Sequence, residues 1–237
     1  FAFTCGGEFF SEMKLGVEVL LESQLHLLRG QRVGLITNPT GVDRAGVSII
    51  ERLRAVPEVN LVALYGPEHG VRGNAQAGEF VDFFQDEQLG LPVFSLYGQA
   101  LKLPRDPLVD IDATMREFDT QPTGKTVAHA MLRGVDVLVF DLQDVGTRVY
   151  TYVATMAYAM RAAAEAGIPF VVLDRPNPIG GVVMEGPILE YPAHSSFIGL
   201  YPVPLRHGMT VGELARLFNA RFLARKCDLT VVAMEGW

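Results

Sequence analysis

The chain is 237 residues long, 49% hydrophobic and 20% charged, with 24 glycines and 14 prolines. That composition suits a globular protein with enough apolar residues for one large core, and it excludes a disordered chain. A formal charge of −7 with no basic run opposes a general nucleic-acid binder, and no apolar stretch reaches the roughly 18 residues of a membrane helix.

The chain opens on Phe1 with FAFTCGG, which fits the remnant of an export signal or simply the edge of the sequence. Residues 1–14 are expected to be processed or disordered, and the protein to be exported, periplasmic or extracellular. Cys5 and Cys227 are the two cysteines; they are far apart and lack metal-ligand spacing, so neither a disulfide framework nor a cysteine-based zinc site is expected.

From residue 15 the chain alternates. Residues 15–29 carry apolar side chains at helical spacing and stop at Gly30, a C′ cap. VGLIT (33–37) predicts a strand leading into the turn NPTG, with Asn38 at its end. A short helix over 47–55 ends before Pro57. VNLVALY (59–65) runs into GPEHGVRG, and PVFSL (92–96) into Tyr97-Gly98. Residues 99–126, with Pro104, Pro107, Pro122 and Gly124, predict a long surface excursion near the strand ends. Residues 135–140 (VDVLVF) form a continuous apolar run, the pattern of a strand buried on both faces, and lead into DLQDVGTR. Residues 151–166 are rich in Ala and Met and end at Gly167; IPFVVL (168–173) leads into DRPNPIGG. Residues 210–224 open with Thr210-Val-Gly-Glu213, the capping-box pattern, and 229–234 read as a last strand.

Alternating strands and helices predict an α/β fold, Rossmann-like and doubly wound. A mostly parallel sheet of about six strands, covered by helices on both faces, would span residues 15–237. An eight-stranded barrel is the weaker alternative, because too few strands are visible.

In such a sheet ligands bind beyond the carboxyl ends of the strands, where this sequence concentrates its polar residues. Asp141, Gln143, Asp144, Arg148, Tyr150 and Tyr152 follow one strand end almost without a spacer. Some of these carboxylates can be turn residues bonded to backbone, but a guanidinium fork such as Arg148 suits a carboxylate ligand. Tyr150 and Tyr152 have matching parity, so one face of an extended segment would carry both, as a sugar platform or as sheet-edge packing. Glu68 and His69 sit on a glycine-rich turn with Arg72 close behind, and Glu68 is a candidate general acid or base. The alternative is that Glu68 caps a helix and His69 satisfies a carbonyl. Asp174, Arg175 and Asn177 are held by Pro176 and Pro178 on a turn rigid enough to present side chains; Glu185 and Glu190 have weaker claims. His207, just before the capped helix, divides evenly between helix entry and ligand contact, Glu213 belongs to the capping box, and His26, His129 and His194 read as structural or surface residues.

A dinucleotide site is opposed by NPTG in place of the glycine fingerprint, and QPTGKT (121–126) lacks the first glycine and the preceding strand of a phosphate loop. No nucleophile elbow, no HExxH and no dense His/Asp metal cluster appears, so no cofactor and no metal are expected. Carboxylates with arginines, and neither a metal nor a serine nucleophile, point to glycoside chemistry.

Together, VGLITNPTGVD, GPEHGVRG, VDVLVFDLQDVGTRVYTY, VVLDRPNPIGG, SSFIG and PLRHGMTVGELA resemble the exo-β-N-acetylmuramidases, peptidoglycan-salvaging glycoside hydrolases long catalogued as a domain of unknown function. The resemblance runs in order from about Val33 to Trp237. It implies a Rossmann-like domain followed by a smaller C-terminal domain, with the active-site cleft between them. It places the leading catalytic role on Glu68, joined by His69, Asp144 and Arg148, with Asp144 as second carboxylate. The implied reaction removes N-acetylmuramic acid from the non-reducing end of cell-wall fragments, and Arg72, Arg148 or Arg175 would hold that sugar's lactyl carboxylate. By this resemblance a C-terminal domain is the expected intramolecular partner, and the 99–126 excursion is longer than the usual link. A non-catalytic sugar-binding module and a nucleotide- or phosphate-binding protein are the competing expectations.

Overall fold

The computed structural model describes residues 13–74, 84–96 and 131–237. The expected 99–126 excursion, including QPTGKT, lies outside the described residues, as do Cys5 and His129.

In chain order the elements are α1 (Gly16–Val19), β1 (Arg32–Thr37), α2 (Ile49–Arg54), β2 (Asn60–Gly66), β3 (Phe84–Asp86), β4 (Leu91–Ser95) and β5 (Val137–Asp141). They continue with α3 (Thr151–Ala166), β6 (Phe170–Leu173), β7 (Glu185–Ile188), β8 (Pro204–Arg206), α4 (Val211–Arg221) and β9 (Leu229–Val232). The main sheet has seven strands in the order β3-β4-β2-β1-β5-β6-β9. Six pair in parallel, and β3 runs antiparallel on β4 at one edge.

The expected six strands are therefore the parallel ones, and the count of about six is corrected to seven by the edge strand. Beta3 is three residues long with two of them exposed, too short to leave a periodic signal. Beta7 and β8 form a separate antiparallel pair that the sequence did not announce, since all of β7 is exposed.

Successive strand residues face opposite sides of a sheet, and here both sides are apolar. Ile36, Leu138, Phe140, Phe170 and Val172 pack with Met156 and Met160 of α3 and Leu214 and Phe218 of α4. Leu35, Val137, Val139, Val171 and Leu173 pack with Val17, Leu20, Ile49 and Leu53 on the other side. Burial on both faces is why β1, β5 and β6 read as unbroken apolar runs. Alpha3 ends at Gly167, whose φ of +70° is the left-handed C′ conformation. The helix expected over 15–29 is α1 prolonged by a wider turn over Leu20–Gln24 and a tight turn over Leu25–Leu27. Met13 is buried, and Lys14 exchanges backbone hydrogen bonds with Glu235 beyond β9. Among the described residues, no helix is long and apolar enough to cross a membrane.

Candidate active site

Parallel strands deliver their carboxyl ends to one edge of the sheet. After β1 the chain builds outward through β2 and β4, then returns beside β1 with β5 and builds the other way through β6 and β9. The connections leaving β1 and β5 therefore part. That switch point is where open α/β sheets place their ligands.

Glu68 reaches it from the end of β2. The Pro67 carbonyl accepts from Gly70 N–H at 2.8 Å, and His69 has φ +73°, so Glu68 stands at the first corner of a turn with a left-handed second corner. The loop doubles back so closely that a Cβ on Gly66 would come within 2.7 Å of Val71 N. Glu68 and His69 both remain partly exposed. The Thr151 hydroxyl, at the start of α3, donates to Glu68 Oε2 at 2.8 Å.

Asn38 reaches the same place from the end of β1. Its Nδ2 donates to the Tyr152 hydroxyl at 2.6 Å, while its Oδ1 accepts from Thr40 N–H and Oγ1 at 2.9 and 2.6 Å. The Tyr150 and Tyr152 rings lie 4.4 Å apart at 59°. Burial first, then the hydrogen bond with Tyr150, pushes the Tyr152 phenol above its ordinary range, with the Glu68 charge adding to the rise and Asn38 opposing it. Tyr152 therefore stays neutral. Shared parity on an extended segment is corrected here: Tyr150 is the extended N-cap of α3 and Tyr152 lies within its first turn. The two rings meet because the backbone changes conformation between them.

Other predicted residues lie deeper. Arg175 holds Asp141 through Nε and Nη2 at 2.5 and 2.8 Å and also donates to the Val42 carbonyl. The pair is 4% and 0% exposed, and it ties the ends of β5 and β6 together. Gln143 Nε2 donates to the carbonyls of Asp144 and Pro176. Asn177 Nδ2 donates to the Met209 carbonyl at 3.0 Å and Oδ1 accepts from Ile179 N–H at 3.1 Å. A side chain on Gly146, at φ +84°, would run into that amide.

Asp174 is a buried helix cap. It accepts from Thr210 Oγ1, Gly212 N–H and Arg175 N–H at 2.9, 2.8 and 3.0 Å, at the amino end of α4 where partial positive charge gathers. Burial nonetheless keeps its carboxyl above the usual range despite those donors. Thr210 and Glu213 form the predicted capping box, each accepting the other's backbone N–H.

Asp144 and His207 make a second buried pair. His207 Nδ1 accepts from Met209 N–H at 3.3 Å, so its proton sits on Nε2, which donates to Asp144 Oδ2 at 3.0 Å. Gly146 N–H donates to the same oxygen at 2.8 Å, whereas Asp144 Oδ1 is buried with no partner among the described residues. Arg148 Nη1 donates to the carbonyls of Pro187 and Val203, anchoring the β7–β8 pair, and Arg72 pairs with Asp86. His26 and His194 are exposed, and Glu190 lies 3.6 Å from His194. Among the described residues, no three His, Cys, Asp or Glu side chains gather as metal ligands would.

Glu68, His69 and Tyr150 lie partly exposed at the switch point against the buried Asn38 and Tyr152, while Asp141, Gln143, Arg175, Asp174 and Asn177 brace the strand ends. Asp144 and His207 form a buried pair of their own, Arg148 holds the β7–β8 pair, and Arg72 holds Asp86 of β3. Thr151 was missed. Its signal was a long helix preceded by Tyr150 rather than by a Ser, Thr, Asp or Asn cap.

The family model for exo-β-N-acetylmuramidase NamZ, N-terminal, matches residues 33–125 and 118–237. The peptidoglycan β-N-acetylmuramidase NamZ of Bacillus subtilis (strain 168) is 52% identical over 226 residues, covering 95% of this chain and 48% of that protein. Two solved DUF1343 family proteins from Bacteroides fragilis NCTC 9343 share the fold. One has a TM-score of 0.77 at 46% identity, over 95% of this chain and 51% of that one. The other has a TM-score of 0.72 at 32% identity, over 96% of this chain and 53% of that one. The chain spans about half the length of these relatives. With the family model matched over most of its length and a 52% identical relative across 95% of it, the chain belongs to the NamZ exo-β-N-acetylmuramidase family and corresponds to its N-terminal region.

Proposed function

We propose that this chain carries the catalytic face of an exo-acting glycoside hydrolase that releases N-acetylmuramic acid from the non-reducing end of peptidoglycan fragments. The observation that carries this reading is Glu68, a partly exposed carboxylate at the switch point, gripped by Thr151 and set beside the Tyr150–Tyr152 pair. The Bacillus subtilis relative, a peptidoglycan β-N-acetylmuramidase, supplies the substrate class.

In this reading Glu68 donates a proton to the departing glycosidic oxygen and later takes one from water. Asp144 is the candidate second carboxylate: it is buried beside His207, but Asp141 and Asp174 have both oxygens engaged whereas its Oδ1 has no partner among the described residues. Tyr150, partly exposed, offers an aromatic face to the sugar ring, backed by the buried Tyr152. For the lactyl carboxylate, Arg72 is exposed and Arg148 partly exposed even with their contacts to Asp86 and to the Pro187 and Val203 carbonyls, whereas Arg175 is buried against Asp141.

A protein of the relatives' length has a second half, and we propose that it packs against the β7–β8 region to close the site. Val182, Met184 and Ile188 are 95%, 66% and 63% exposed there, which is apolar surface of the kind that marks an interface. Because intact peptidoglycan lies outside the cytoplasmic membrane, we propose a periplasmic or extracellular compartment. The test is product analysis with the full-length protein and a chromogenic β-N-acetylmuramide: free N-acetylmuramic acid is expected, and binding without turnover would favour a sugar-binding module instead.

A further inference from the structure

Resting on that reading of Glu68, we propose that Thr151 is a positioning residue, whose hydroxyl fixes the Glu68 carboxylate for proton transfer. Alpha3 is a 16-residue helix whose N-cap, Tyr150, offers no side-chain hydrogen bond to the helix start. A hydroxyl in the first turn of such a helix ordinarily serves the exposed backbone N–H groups nearby. Thr151 Oγ1 instead donates outward at 2.8 Å to Glu68 Oε2, a carboxylate 83 positions earlier in the chain. Threonine is β-branched and stiff at χ1, so this donor is aimed by a side chain with little freedom of its own.

The flanking residues fix the donor's backbone. Tyr152 is tied to the end of β1 through Asn38, and Asn38 is itself held by both polar groups of Thr40. Further along, Thr155 Oγ1 donates to the Thr151 carbonyl at 3.0 Å. The first turn of α3 therefore touches the ends of β1 and β2 together, across the switch point. Asp174 at α4 is the instructive contrast. It too meets a helix start and a threonine hydroxyl, but it is 5% exposed, sealed against the start of α4. That carboxylate is locked; Glu68 is steered and still partly open.

Removing the hydroxyl should leave substrate binding intact while spoiling the transfer geometry. The experiment compares wild type, Thr151→Val and Thr151→Ser in the full-length protein, with kcat and KM for N-acetylmuramic acid release. Thr151→Val is expected to lower kcat about 10- to 100-fold, the scale of a hydrogen bond to a charged group or of a misplaced catalytic group. KM should stay within about twofold and the melting temperature should be unchanged. Thr151→Ser, which restores the hydroxyl, should recover most of the rate. A Thr151→Val enzyme with wild-type kcat overturns the positioning role and leaves the glycosidase reading standing. A kcat loss that Ser does not rescue also overturns it, and a wild-type protein that releases no sugar overturns both.

Discussion

Arg175 and Asp141 show how a residue that looks like a ligand contact can belong to the frame. Their side chains are almost wholly buried and meet through two hydrogen bonds, so each charge depends on the other. Replacing Arg175 with Met leaves a carboxylate buried without its counter-charge, and about 3–5 kcal/mol of stability should be lost in denaturant unfolding. Adding Asp141→Leu to that variant should recover much of the loss, because two apolar side chains need no partner. An undiminished unfolding midpoint in the single variant would contradict this account of the pair. Residue type told where the polar groups gather, at the strand ends, but not which ones face outward. Asp141 and Glu68 both follow apolar runs, and only three-dimensional packing shows that Arg175 reaches Asp141 from the next strand while Glu68 stays partly open. Thr151 was hidden for a related reason: its partner lies 83 positions away, and a helix start without a capping residue does not by itself point to Glu68.

At the scale of elements, the entry of the central strands is clamped at the edge opposite the site. Arg32 at the start of β1 donates from its backbone N–H, Nε and Nη2 to the Asp136 carboxylate at 2.8, 2.9 and 2.7 Å, and Asp136 N–H donates back to the Arg32 carbonyl. The Arg32 side chain, then its backbone N–H, lowers the Asp136 carboxyl to about 2. A carboxyl depressed in the fold stabilises above its unfolded value near 3.8, and that contribution disappears as pH falls toward about 2. Between pH 4 and 2 the wild type should therefore lose more stability than Asp136→Asn. Equal slopes for the two proteins would remove this clamp from the acid response. Strands β1, β5 and β6 could be read from sequence because burial on both faces leaves unbroken apolar runs, and the half-buried β4 and β9 because short apolar runs still mark them. Beta3 and β7 are short and exposed, so no periodicity records them, and the α1 segment keeps helical spacing through turns that are not α-helical. At Tyr150 and Tyr152, alternation imitated a strand where a helix begins.

For the whole molecule, the two apolar faces of the sheet make a rigid platform, and the parting of connections beside β1 and β5 decides where the chemistry sits. The relatives are about twice as long, and the exposed apolar residues around β7 and β8 are the surface that we propose a second half covers. The central claim is that Glu68 transfers the proton in glycoside cleavage. Its most direct test is the rate of N-acetylmuramic acid release by full-length wild-type and Glu68→Gln proteins, with folding checked by thermal unfolding. Glutamine keeps an acceptor for the Thr151 hydroxyl but cannot donate and regain the proton as a carboxyl does, so kcat should fall by about 10²–10⁴ with the fold intact. A Glu68→Gln protein that turns over at the wild-type rate would contradict the account.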